Sequence, residues 1–137
     1  MADHPNAEFV RTGYNAFIAG DMEWLNEHFD DTIVWHDPGD NQFSGDHSGR
    51  DEVFAHFAKL VAYATPEFDI HDVVANDDHA VALVTITSTK NDGSGESFTN
   101  KFVHVFHVSS GDEPRVLESW IMNEDQAGSD KFLGKGE

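Results

Sequence analysis

At Pro66 the apolar residues of this chain change period, and that switch narrows the folds open to it. Before Pro66 they recur at helical spacing in three stretches. Phe9, Val10, Gly13, Ala16 and Phe17 form the first, which Gly20 ends. Met22, Leu25, His28 and Phe29 form a short second one, and Val53, Phe54, Phe57, Leu60, Val61 and Ala64 a third. Asp3 or His4 ahead of Pro5, Asp21, and Ser48 with Asp51 supply the expected N-terminal caps, and Pro66 closes the third helix. After Pro66 the period is two. Residues 68–75, 80–89, 97–108 and 115–123 read as strands, with turns at 76–78, 91–95 and 110–112. Turns this short imply antiparallel neighbours. Residues 124–133 add a short last helix. Helices first and strands afterwards predict a single α+β domain over residues 1–137, cone-shaped, with helices packed on a curved, mainly antiparallel sheet that encloses a pocket.

One strand lies inside the helical half. Through residues 33–37, Ile33, Trp35 and Asp37 share one face and Val34 and His36 the other. Pro38 removes a backbone donor and Gly39 frees the dihedrals, so the strand stops there. A carboxylate next in line after Ile33 and Trp35 is expensive to bury unless it is paired or protonated. Asp37 is therefore the first candidate for chemistry, and its plainer reading is an Asp that hydrogen-bonds its own turn. The expected wall around it is Trp35, Phe17, Phe54 and Phe57. Apolar walls disfavour the ionised form of a carboxylate and make it a stronger base. In the third strand of the second half, Phe102, His104 and Phe106 face one side and Val103, Val105 and His107 the other. His104 is either a core histidine or a ligand-facing one.

Other chemistries find little support. With no cysteine there is no thiolate nucleophile and no disulfide. A formal charge of -18 makes nucleic acid and anionic membranes poor partners. Excess Asp over Lys also fits adaptation to high salt. The first residues show no basic-then-apolar leader, and no apolar run reaches membrane length, so a soluble, cytoplasmic protein is expected. The nine histidines show no metal-ligand spacing and the glycines of the 39–49 loop no G-x-G-x-x-G pattern, so neither metal nor cofactor is expected. Arg50 is expected to pair with the acidic loop 40–46.

Ala19-Gly20-Asp21, Phe29-Asp30-Asp31, Val34-Trp35-His36-Asp37-Pro38-Gly39, Gly49-Arg50-Asp51 and Glu118-Ser119-Trp120, in this order and spacing, resemble the nuclear transport factor 2-like superfamily over nearly the whole chain. Within it, the nearest group is the one related to ketosteroid isomerase and SnoaL-type polyketide cyclases. Ketosteroid isomerase works with an Asp base and an oxyanion site of a Tyr and a protonated Asp. The resemblance implies that Asp37 matches the base, that the second oxyanion carboxylate falls on His104, and that the tyrosine position falls on Gly13. Tyr14 is one residue on, turned by about 100° on a helix. It is a candidate donor, with a solvated helix-surface hydroxyl as the alternative.

The expected activity is that of a cofactor-independent isomerase, cyclase or dehydratase on a small apolar carbonyl compound. Asp37 would be the base and His104 and Tyr14 the oxyanion partners, with Trp35, Phe17, Phe54, Phe57, Phe102, Phe106 and Trp120 lining the substrate pocket. The alternative is a non-catalytic ligand-binding or interaction module of the same fold. Apolar residues on both strand faces predict a homodimer through the outer sheet face.

Overall fold

Pro5 and Gly20 bracket the first helix. In the computed structural model, which describes residues 4–109 and 111–136, α1 (Pro5–Ala19) starts where the His4 side chain accepts from Asn6 N–H. It stops at Gly20, whose left-handed φ of 73° lets its N–H turn back to the last carbonyls. Asp21 caps α2 (Met22–His28) through Trp24 N–H. The chain continues as β1 (Phe29–Asp37), β2 (Gly45–Ser48), α3 (Arg50–Tyr63), β3 (Ala64–Ala75), β4 (His79–Lys90), β5 (Ser97–Val108), β6 (Val116–Asn123) and α4 (Gln126–Leu133). Asp3 and Ser110, named above in a cap and a turn, lie outside the described residues.

The six strands form one curved sheet in the order β2-β1-β6-β5-β4-β3. All neighbours are antiparallel except β1 and β6, which run parallel. Register shifts between Ile70 and Asp72 and between His107 and Val108 sharpen the sheet's bend. Leu25, Ile33, Val53 and Val108 are fully buried between the helices and the concave face. No described helix is long and apolar enough to cross a membrane.

Several local expectations change. β2 has no counterpart in the sequence reading, and β1 begins at Phe29, four residues earlier than expected. Pro66 lies inside β3 instead of closing α3. It is tolerated because β3 is an edge strand, where one side of the backbone has no ladder partner. No side chain caps α3. Gly49 occupies the cap position, and Glu52 reaches back to Ser48 N–H. Arg50 does not meet the loop 40–46; it donates to the carbonyls of Asn26 and Phe29 and pairs with Asp31.

On the convex face, His36 lies between Asp46 at 2.6 Å and Glu118 at 2.5 Å, with the Trp120 ring stacked on it. Desolvation lowers the His36 pKa, but the hydrogen bonds and charges of Glu118 and Asp46 outweigh it, and the net shift is upward. A raised histidine contributes stability that is fully present below its unfolded pKa of about 6.5 and lost as pH rises through its folded value. Denaturant midpoints are therefore expected to fall from pH 6 to 8.5 more steeply in the wild type than in His36→Phe, which keeps the ring stack. Parallel curves would contradict this.

Candidate active site

Between the helices and the concave sheet face lies a cavity of about 230 Å³ with an almost wholly apolar lining. The strand registers place its polar groups. His36 pairs with Trp120, so Asp37 falls beside Ile121; Ile121 pairs with His104, and His104 with Ala82. Asp37 and His104 thus occupy one row of the sheet, two strands apart, or about 10 Å between backbones.

Asp37 projects inward at the end of β1, as its phase with Ile33 and Trp35 requires. Its Oδ2 lies 2.9 Å from His56 Nε2, with side-chain exposures of 13% for Asp37 and 3% for His56. His56 comes from the inner side of α3, one turn beyond Val53. The His47 ring stacks on it at a centroid distance of 3.8 Å, and His47 is anchored in turn on the Phe43 carbonyl at 3.1 Å. His47 arrives there because β2 pairs with β1 and sets His47 opposite Trp35. The loop after Asp37 is held against α4: Asp130 accepts from Asp40 N–H and Asn41, and Gln42 binds the carbonyls of Leu133 and Gly134. Gly39, at a φ of 92°, has no room for a Cβ, which would run into Gln126 and Asp130.

A second polar group crosses the cavity wall. Tyr14 Oη lies 2.6 Å from His104 Nδ1, and His104 Nε2 lies 2.5 Å from Ser119 Oγ. All three side chains are buried. Burial pushes the His104 pKa down to about 3, so the imidazole is neutral, and pushes that of the Tyr14 phenol upward, so it keeps its proton. Trp35 and Phe106 pack on the His104 ring.

Of the residues singled out from sequence, Asp37, Tyr14 and His104 all line the cavity, with Trp35, Phe17 and Phe57 on one side and Phe102 and Phe106 on another. The Tyr14 hydroxyl is not solvated, because α1 crosses the sheet with Tyr14 directed at β5. Two expected lining residues lie elsewhere. Phe54 packs behind the wall on Phe29 and Phe57. Trp120 points outward onto His36, since Ser119 and Ile121 take the inward positions of β6. Sequence reasoning passed over His56, His47 and Ser119. His56 had a signal, lying three residues after Val53 and four before Leu60 on the apolar stripe of α3. Among the described residues no group of three His, Asp or Glu side chains is arranged to hold a metal ion.

The chain matches the SnoaL-like domain family over residues 10–113 and belongs to it. Among solved structures it is similar to Bal32a, from a soil-derived mobile gene cassette, at 31% identity and a TM-score of 0.83, with 93% of this chain and 95% of Bal32a covered. An NTF2-like protein of unknown function from Burkholderia pseudomallei shares 23% identity over 93% of this chain and 96% of its own, with a TM-score of 0.79. IdmH of Streptomyces antibioticus, a proposed polyketide cyclase, shares 19% over 92% and 96%, with a TM-score of 0.73. The last two likenesses speak to the fold alone. No curated protein matches the chain.

Proposed function

We propose that this chain is a cofactor-independent acid-base enzyme of isomerase, cyclase or dehydratase type, acting on a small apolar carbonyl compound with Asp37 as general base. The observation that carries the reading is a carboxylate paired with a buried histidine in the wall of a largely apolar cavity. In its Nε2–H tautomer His56 donates to Asp37 Oδ2, which orients the carboxylate and leaves Oδ1 to meet a substrate C–H. Removal of a proton α to the carbonyl puts charge on the substrate oxygen. Tyr14, on the His104 side of the cavity, is the donor suited to that oxygen, and a neutral His104 behind it adds no net charge. The proton then returns to another carbon, the enolate attacks a carbon within the same molecule, or a β-substituent leaves. These give the isomerase, cyclase and dehydratase outcomes from one first step.

The direct test is α-hydrogen exchange of a bicyclic ketone such as β-tetralone in D2O, followed by NMR. Exchange well above the buffer background is expected. Exchange at the background rate across ketones of this size would leave the second reading, a ligand-binding module, which the apolar cavity also suits.

The pairing of two copies through the convex sheet face belongs to the same proposal. Leu83, Val103 and Met122 form one outward row across three strands, and Val81, Val105 and Trp120 the next. Leu83 and Met122 are 39% and 53% exposed, an apolar surface that a second copy of the same face would cover. Sedimentation at micromolar concentration is expected to give twice the mass of one chain, reduced to the single-chain mass by Leu83→Glu. A wild-type species of single-chain mass would refute the pairing.

A further inference from the structure

Tyr14, His104 and Ser119 are joined by two short hydrogen bonds, and the number of protons among them permits only two arrangements. A neutral imidazole carries one N–H and one lone pair. In the first arrangement Tyr14 O–H donates to Nδ1 and Nε2–H donates to Ser119 Oγ. The tyrosine proton is then committed to the histidine, and only oxygen lone pairs face the cavity. In the second, Ser119 O–H donates to Nε2, Nδ1–H donates to Tyr14 Oη, and the tyrosine proton is free to point into the cavity.

The surroundings distinguish the two. Ser119 has 0% exposure, so no solvent reaches its hydroxyl, and His104 is 4% exposed. Among the described residues the Ser119 hydroxyl meets no polar group other than His104 Nε2. The first arrangement therefore buries the Ser119 proton with no acceptor, the costly kind of unsatisfied donor. The second leaves only the Tyr14 proton without a protein partner, and Tyr14 lines the cavity, where a ligand oxygen or water can take it.

We infer that Ser119 acts as a positioning residue: by donating to His104 Nε2 it holds the imidazole in the Nδ1–H form and so aims the Tyr14 hydroxyl proton at a carbonyl oxygen in the cavity. This rests on the reading that the cavity receives a carbonyl compound, but the proton arrangement itself is observable without turnover. Phe102, Trp35 and Phe106 surround the His104 ring and offer no competing acceptor.

The test is a long-range 1H–15N correlation spectrum of the 15N-labelled protein at neutral pH. His104 is expected to show a proton-bearing Nδ1 and a lone pair on Nε2 in the wild type, and a mixture of the two tautomers in Ser119→Ala. Binding of 2-acetylnaphthalene is expected to weaken about tenfold in Ser119→Ala, while 2-ethylnaphthalene, which has no oxygen, binds both proteins alike. A wild-type Nε2–H tautomer, or a spectrum unchanged by Ser119→Ala, would overturn the inference. The two readings also fail separately. An Nδ1–H tautomer with no ketone exchange removes the enzyme and keeps the positioning role, and exchange with an Nε2–H tautomer does the reverse.

Discussion

Asp37→Asn is expected to lower the rate of α-hydrogen exchange on β-tetralone by about 10² to 10⁴, the range that a positioned general base contributes. Asn has the same shape, and its Oδ1 still accepts from His56 Nε2–H, so the wall of the cavity and its hydrogen bond survive. Only the basic lone pair is lost. Thermal midpoints of the two proteins should therefore lie within a few degrees, which separates loss of the base from loss of the fold. His56→Gln should cost less, about tenfold, because the carboxylate remains and only its orientation loosens. Equal exchange rates in wild type and Asp37→Asn would remove Asp37 from the chemistry, whatever the cavity binds.

The second large effect concerns stability. His104 is neutral when folded because burial holds its pKa down to about 3, whereas in the unfolded chain a histidine titrates near 6.5. Below about pH 6.5 the unfolded state takes up a proton that the folded state refuses, so stability present above that pH is lost as pH falls towards 3. At pH 4 the loss amounts to about 3 kcal/mol, at 1.36 kcal/mol for each pH unit of the window. Denaturant titrations of wild type and His104→Gln should show the difference, since Gln does not titrate. The variant is less stable at pH 7 through lost packing, but its disadvantage should shrink by about that amount by pH 4. His36 acts with the opposite sign, gaining stability as pH falls through its raised pKa, and it is common to both proteins and cancels in the comparison. Stability curves that stay parallel from pH 7 to 4 would rule out a buried neutral His104.

Much of the architecture was legible before any coordinates. The apolar stripes located α1, α2 and α3 to within a few residues, and β5 has the bounds that alternation assigned to it, Ser97–Val108. The inward phase of Asp37 followed from Ile33 and Trp35. β2 had no such signal, for Gly45, Asp46, His47 and Ser48 contain nothing apolar, and only backbone pairing with β1 makes them a strand. In β6 the composition misled. Trp120 was expected to line the pocket, but the pairings with β1 and β5 set the phase, turn Trp120 outward and put Ser119 at the centre of the core.

Elements of secondary structure were readable because helical and strand periods are set by residues two to four apart, where side chains share a face whatever else the chain does. The site was not readable in that way. Its contacts join residues far apart in the chain, 19 positions between Asp37 and His56 and 90 between Tyr14 and His104. Such contacts depend on how α1 and α3 seat on the sheet and on the register of β6 between β1 and β5. Local chemistry therefore supplied the carboxylate and the direction it faces. Long-range packing chose the histidine that holds it, and the tyrosine and serine bonded to the two ring nitrogens of the other histidine.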